Sequence, residues 1–491
     1  MATNSDIAPK VTSTFSKDVK KSWIIIVCAA LFAFALYAIM PYEPNVKKGL
    51  ALLVFAAVLW FTEAIHITIT ALLIPAVAVI IGIHKIVDKK FDLINGALVN
   101  TDSLESVKLT ALTIKDGLAN FSNPTIYLFF GGFALATALH IQKLDRKIAM
   151  KLISLSGNHL GYAVLSICVV TALLSMWISN TATAAMMLPL AIGILSQLDL
   201  GKDRSTFVFV LLSIAYSASI GGLGTMVGSP PNAIASAALK LDFIGWMKIG
   251  LPIMLILFPL MLITLYITFR PKLNMKINLN LEEDVPWTGP RIATLIVFLL
   301  TAFLWIFSKK ISAIIGVTLS DALIALMAAC AVAILGLASW KDIAKGTDWG
   351  VLLLFGGGLA LSGILQGSGA SLVLGKEVAR IFGNTPQLVI IAVVTIFIII
   401  LTEFTSNTAS AALLVPVFAT IATEMGMPKE TLVMVIGIGA SCAFMLPVAT
   451  PPNAIVFGTG YIRQRDMMKA GFFLGLVCVA VITLYAHFIL G

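Results

Sequence analysis

SNTATAAMMLPL, residues 179–190, returns as SNTASAALLVPV at 406–417, with seven of twelve positions identical. PPNAI at 230–234 returns unchanged at 451–455, inside Ser229-Pro230-Pro231-Asn232 and Thr450-Pro451-Pro452-Asn453. Ahead of each triplet, LFFGGFALA at 128–136 is echoed by LLFGGGLAL at 353–361. The chain thus runs twice, in one order, through a glycine-rich span, a hairpin broken by a polar triplet and a span broken by two prolines. Repeats with paired broken helices are the architecture of secondary transporters, whose site lies near the bilayer midplane between the repeats.

The residues around these motifs are those of a membrane protein. Of 491 residues, 59% are hydrophobic and only 12% charged, with a mean hydropathy of +1.01. A soluble domain carries about 25% charged residues because its surface faces water. The apolar excess must therefore face lipid. A bilayer span takes about 20 apolar residues, and runs such as Trp23 to Met40 and Phe472 to Leu490 recur along the chain. The expected fold is an all-α polytopic membrane protein in an inverted repeat. Eleven spans fall near 23–40, 47–62, 64–83, 121–140, 205–240, 245–269, 291–307, 318–337, 348–375, 430–461 and 468–490. The segments 160–200 and 386–425 are each long enough for two helices but broken at the centre, and read as re-entrant hairpins. Irregular backbone at membrane depth survives only where it is buried in protein or lines a cavity.

Charge sets the orientation. With the N-terminus inside, 19 of the 33 Lys and Arg residues fall in inner segments. Five of the others sit in the long 84–115 segment, which counts little in the positive-inside rule, while Lys309 and Lys310 run against it. The expectation is a cytoplasmic N-terminus and an exterior C-terminus in a bacterial inner membrane. The divisions are a cytoplasmic segment 1–22, a first span and outer loop 23–46, a first repeat 47–269, a cytoplasmic linker 270–290 and a second repeat 291–491. Five spans between the hairpins, an odd number of crossings, invert the second copy. The apolar run after Trp23 lacks a clear small-residue cleavage site and reads as a retained span, a cleaved signal peptide being the alternative. The net charge of +9 is not interleaved with aromatics, so no nucleic-acid partner is implied. Cys28, Cys168, Cys330, Cys442 and Cys478 lie singly, which argues against disulfides or a zinc site.

Ser179-Asn180-Thr181 and Ser406-Asn407-Thr408 each interrupt an apolar helical run. Ser, Asn and Thr are good N-caps, and the helix that follows presents free N–H groups and partial positive charge suited to a carboxylate. The helix that precedes ends in free carbonyls, which suit a hard cation. Each tip offers an anion site beside a cation site, and two tips meeting would grip both carboxylates of a short substrate. Consecutive prolines unwind their spans and release upstream carbonyls at Gly228 and Ala449 toward a cation. One triplet alone reads equally as a buried hydrogen-bond cluster between helices; two copies, each followed by Pro-Pro-Asn, do not. The glycine pairs at 131–132 and 356–358 read as close helix packing. Glu403 lies in an apolar hairpin opposite Met176 of the first copy, and the sequence leaves a functional and a structural role open. Glu63 reads as a structural residue at a helix junction, and His66 as a packed, hydrogen-bonded histidine. No Arg or Lys falls in either triplet or either proline break.

These motifs resemble the divalent anion/sodium symporters, a family that includes bacterial succinate carriers and animal sodium-dicarboxylate and sodium-citrate carriers. The resemblance covers the chain from about residue 23 to its end. It implies one sodium ion held by Ser175, Ser179, Asn180 and Gly228, and a second held by Thr402, Ser406, Asn407 and Ala449. It implies that substrate touches Asn180, Thr181, Asn407 and Thr408, with Ser229 and Thr450 nearby. It further implies a homodimer, an elevator motion of the substrate region, and sodium as coupling ion with no other cofactor. The expected function is import of C4-dicarboxylates such as succinate, malate and fumarate by sodium symport, with electroneutral dicarboxylate exchange as the alternative. A membrane-embedded enzyme needs a nucleophile with a base or a metal cluster, and the tips carry no such His/Asp/Glu constellation. Paired broken helices at an enclosed midplane favour alternating access over a channel.

Overall fold

A computed structural model describes residues 17–88, 90–94, 97–103, 105–154, 156–277, 285–383 and 385–491. Residues 1–16 of the expected N-terminal segment and 278–284 of the expected linker lie outside the described residues. The described chain is almost wholly helical. Eight helices are long and apolar enough to cross a bilayer: Val19–Ile39, Pro44–Thr62, Pro124–Ile141, Leu200–Gly224, Phe243–Phe269, Gly289–Ile315, Trp349–Gly367 and Gln464–Leu490. The other three expected spans are two 14-residue helices, Ile67–Ile80 and Asp321–Ile334, and the broken pair Lys429–Gly439 and Pro451–Phe457.

Each half builds its elements in the same order. A short helix opens on a capping box, Thr113 with Asp116 before Ile114–Leu118 and Ser339 with Asp342 before Trp340–Gly346. In each box the reciprocal bonds satisfy two otherwise unpaired N–H groups. The glycine-rich helix follows, Pro124–Ile141 or Trp349–Gly367, and then a hairpin, Leu160–Ser175 with Asn180–Leu195 or Gln387–Thr402 with Asn407–Glu424. Pro189 and Pro416 each sit inside the second helix of their hairpin, where each removes one backbone N–H from the helix ladder. The broken spans come next. Leu200–Gly221 runs through a 3-10 turn at Gly222–Gly224 into an extended Ser229 and restarts at Pro230–Leu239. Lys429–Gly439 gives way to irregular backbone and restarts at Pro451–Phe457. Proline at a helix start loses only an N–H that has no partner there anyway.

The two copies interlock. Pro230–Leu239 packs on Asn407–Glu424 and Lys429–Gly439, while Pro451–Phe457 packs on Asn180–Leu195 and Leu200–Gly221. Each restarted half-helix is thus seated on the other copy's hairpin, and the chain from 206 to 224 is buried throughout. A second group of helices pairs Pro124–Ile141 with Asp321–Ile334 and Trp349–Gly367 with Ile67–Ile80. The glycines make these pairings possible. A Cβ on Gly131 would lie 2.4 Å from the Ala325 carbonyl oxygen, and one on Gly357 would lie 2.4 Å from Ala71 Cβ. Facing outward, Trp23, Ile24, Leu31, Phe32, Ile296, Leu299 and many similar side chains are exposed, as lipid-facing positions are. The expected outer segment 84–115 holds two small antiparallel ladders, His84–Ile86 with Leu109–Ala111 and Phe91–Ile94 with Ala97–Asn100. An ion pair from Lys376 to Asp92 and another from Lys85 to Asp116 tie that segment down.

Candidate functional site

The hairpin tips are built alike. Ser179 N-caps its helix by accepting from Ala182 N at 3.3 Å, and Ser406 does the same for Ala409 N at 3.4 Å. Behind each tip, the last residue of the preceding helix turns its hydroxyl inward. Ser175 Oγ lies 2.6 Å from Asn180 Oδ1 and 2.7 Å from the Ala218 carbonyl. Thr402 Oγ1 lies 2.6 Å from Asn407 Oδ1 and 2.8 Å from the Ala440 carbonyl. Ser175 and Thr402 are fully buried.

The first cluster gathers several oxygens around one amide. The end of the Asn180 amide lies 2.6 Å from Ser175 Oγ, 3.0 Å from the Ala218 carbonyl and 3.2 Å from the Gly228 carbonyl. With nitrogen there, the amide's two N–H groups have all three oxygens within reach. With oxygen there, the amide oxygen, the Ser175 hydroxyl and the two carbonyls form a set of oxygens of the kind that suits a hard cation. Gly228 allows the crowding, since a Cβ on it would lie 2.5 Å from the Gly222 carbonyl oxygen and 3.0 Å from that of Ser175.

The asparagines after the prolines hold the breaks in shape. Asn232 Nδ2 donates to the Gly222 carbonyl at 2.8 Å and the Thr225 carbonyl at 2.7 Å. Asn453 Nδ2 donates to the Ala443 and Leu446 carbonyls at 3.2 and 3.1 Å. Ser229 and Thr450 differ: Ser229 Oγ meets Ser441 Oγ of the other break at 3.1 Å, while Thr450 Oγ1 accepts from Asn453 N at 3.3 Å.

All of this opens on one cavity of about 530 Å³. Ser179, Asn180, Thr181, Gly228 and Ser229 line it from the first copy, and Ser406, Asn407, Thr408, Ala449 and Thr450 from the second. Ser175 and Thr402 stand behind the Asn180 and Asn407 amides. The N-termini of Asn180–Leu195 and Asn407–Glu424 both face the cavity, placing two partially positive helix ends on one space. Across from them, Ile67, Phe129, Phe133 and Val351 form an apolar wall with Glu63 and Asp348 on it. Asp348 caps its helix by accepting from Val351 N at 3.0 Å, and Glu63 ends its own helix in a left-handed conformation. His66 Nδ1 accepts from Thr68 N at 3.3 Å, so this histidine is an N-cap. Among the described residues, the cavity wall holds Glu63, Asp348 and Glu403 and no Lys, Arg or His.

The family model described as the sodium:sulfate symporter transmembrane region matches residues 17–489. The chain belongs to that family, the divalent anion/sodium symporters. A divalent anion/sodium symporter is a membrane transporter and not an enzyme. The chain is 53% identical over 470 residues to an uncharacterized transporter of Haemophilus influenzae, covering 94% of this chain and 96% of that protein. It is 34% identical over 504 residues to the sodium-dependent dicarboxylate transporter SdcS of Staphylococcus saprophyticus, covering 94% of this chain and 89% of the relative. In fold it is similar to the solved YdaH transporter of Alcanivorax borkumensis, described as having an unusual topology. That likeness has a TM-score of 0.53 at 14% identity and covers 88% of this chain and 98% of the other.

Reading the sequence of this divalent anion/sodium symporter missed the carbonyls of Ala218 and Ala440, because a backbone oxygen has no letter of its own. The signal nearest to them is the glycine-rich run that begins at Gly221. The sequence also missed the facing wall. Glu63 sits at a helix junction as expected and also lines the cavity, as does Asp348, which caps a helix far away in sequence.

Proposed function

We propose that this protein imports C4-dicarboxylates such as succinate, malate and fumarate by sodium symport. One observation carries the reading: two equivalent amide–hydroxyl–carbonyl clusters and two helix N-termini share one cavity whose described wall has no cationic side chain. A dianion there is met by helix ends, hydroxyls and amides, and its charge is balanced by cations held in the oxygen clusters behind them. Ser175, Ser179, Asn180 and Gly228 serve one sodium ion, and Thr402, Ser406, Asn407 and Ala449 the other. Asn180, Thr181, Asn407 and Thr408, flanked by Ser229 and Thr450, hold the two carboxylates. The sodium-dependent dicarboxylate transport in the name of the Staphylococcus relative supports this substrate class.

Sodium in each cluster strengthens the site for the dianion, and by linkage the dianion tightens sodium by the same factor. A third sodium, which rests on family resemblance, would carry one net charge inward, worth about 2.3 kcal/mol per 100 mV. The interlocked hairpins and broken spans move as one body against the glycine-packed helix pairs, in a homodimer with the N-terminus cytoplasmic and the C-terminus outside. The decisive measurement is radiolabelled succinate uptake into substrate-free proteoliposomes. Uptake should need an inward sodium gradient, with a Hill coefficient for sodium above one. Robust uptake with potassium replacing sodium throughout would sink symport. Exchange that persists without sodium, but only with diacid trapped inside, would put the exchanger in its place.

A further inference from the structure

Glu403 occupies a position that the two copies do not share. It follows Thr402 directly and stands four residues before Asn407, as Met176 stands four before Asn180. Its side chain is 3% exposed. Oε1 accepts from Phe444 N at 2.7 Å and Met445 N at 2.8 Å, and Oε2 accepts from Leu446 N at 3.0 Å. Those three N–H groups belong to the irregular stretch between Lys429–Gly439 and Pro451–Phe457. Buried backbone donors without partners are costly, and this carboxylate satisfies three in a row.

The stretch it holds is the one that shapes the second oxygen cluster. At its start the Ala440 carbonyl sits 2.8 Å from Thr402 Oγ1. At its end Ala449 and Thr450 line the cavity. Between them, the Phe444 carbonyl accepts from Tyr216 Oη at 2.7 Å, and Asn453 gathers the Ala443 and Leu446 carbonyls. In the first copy the equivalent stretch forms a 3-10 turn at Gly222–Gly224, and the Thr225 hydroxyl donates to the Met176 carbonyl. The Met176 thioether only packs there, its methyl 3.0 Å from where a Gly224 Cβ would stand. The first break is thus held by neutral side chains, Thr225 and Asn232, and the second by Asn453 together with a carboxylate from the hairpin.

We infer that Glu403 is a positioning residue for the second cation site, holding its carbonyl-bearing break in place so that this site, unlike the first, depends on one carboxylate. This rests on the sodium-symport reading. Glu403→Gln keeps the length but turns an NH₂ group against a backbone N–H, while Glu403→Asp keeps both acceptors on a shorter stem.

The test reads sodium directly. Purified protein is titrated with sodium in substrate-free potassium buffer, and the midpoint of its thermal stabilisation is recorded. In Glu403→Gln that midpoint should rise about tenfold, the cost of one lost bond to a charged acceptor. In proteoliposomes the sodium Hill coefficient should fall toward one, while the succinate KM at saturating sodium stays within about twofold, well inside the tenfold that one lost substrate bond would produce. Glu403→Asp should fall between Gln and wild type. An unchanged sodium midpoint in a folded Gln variant would overturn the inference while leaving symport intact. A wild-type protein with no sodium response would overturn symport itself, and the inference with it. Should neither variant fold, hydrogen exchange on the wild type decides: the 444–446 amides must exchange as slowly as helix-interior amides, and exchange at open-loop rates refutes the brace.

Discussion

Truncating Asn180 or Asn407 probes the heart of the coupling. The Asn180 amide end has three oxygens within 3.2 Å on the cluster side, and its residue also lines the cavity. Asn407 repeats the design, with Thr402 Oγ1 at 2.6 Å. Asn180→Ala removes one ligand of the cluster and leaves the Ser175 hydroxyl and the Ala218 and Gly228 carbonyls without their shared partner. A bond to a charged group contributes about 1.5–3 kcal/mol, so each lost contact weakens binding about ten- to hundred-fold. In the proposed symport each amide serves sodium on one side and carboxylate on the other, so both affinities should fall. Well below the wild type's half-saturating sodium and succinate, where the rate scales with affinity, the product of the two losses is about a hundredfold or more. Coupled uptake into proteoliposomes should therefore vanish in Asn180→Ala and in Asn407→Ala, with the purified proteins still monodisperse. Either variant retaining more than about a tenth of the wild-type initial rate under those conditions would show that the amide does not join the two ligands, because even a single lost contact costs that much.

Other expectations follow from the same geometry. Thr181→Ala and Thr408→Ala should each raise the succinate KM about ten- to hundred-fold without unfolding the protein; unchanged values in both would place the substrate elsewhere. Single cysteines at Lys147 and Arg465 should react only with reagent on the cytoplasmic side and one at Lys310 only from outside, and the opposite pattern at both inner sites would refute the inverted placement. Gly357→Val, whose Cβ would lie 2.4 Å from Ala71 Cβ, should fail to accumulate in membranes, whereas Gly193→Ala, with nothing within 4 Å, should express like wild type. Sodium alone should raise the thermal stability of the purified protein and succinate alone should not; stabilisation by succinate in sodium-free buffer would mean that the dianion needs no bound cation.

The features legible in the sequence are those in which a residue type contradicts its surroundings. Ser179-Asn180-Thr181 and Pro230-Pro231 stand out because polar caps and helix breakers are misplaced in an apolar run unless the run is broken there. Their recurrence at Ser406-Asn407-Thr408 and Pro451-Pro452 then outlines the fold, because two equivalent breaks must be accommodated together. What stayed hidden depends on tertiary contact. That Pro230–Leu239 rests on the other copy's hairpin is a matter of packing between apolar faces, and one apolar face looks like another in a sequence. The strands at 84–111 were hidden for another reason: they are three or four residues long, too short for a period to register. Glu403 was visible as an anomaly, but its role was not, since its partners are backbone N–H groups some forty residues away.

The acidic character of the wall looks at first like the wrong chemistry for an anion carrier. Glu63 and Asp348 face the cavity that holds both tips, while the Glu403 carboxylate is turned into the 444–446 backbone. Across a cavity of this size, two unit charges roughly 8 Å apart interact by about 2 kcal/mol at an effective dielectric of 20. A dianion arriving alone meets that repulsion several times over, while a sodium ion meets it as attraction. The wall therefore favours cations in the oxygen clusters and penalises a dicarboxylate unaccompanied by them. A fixed arginine would bind the dianion whether or not sodium was present, and would let substrate move uncoupled. In the proposed symport, with helix ends and amides for the carboxylates and carbonyl clusters for the cations, neither ligand finds its full set of partners until the other is in place. That mutual dependence is what coupling requires, and it follows from the cationic side chains the described wall does without as much as from the polar groups it presents.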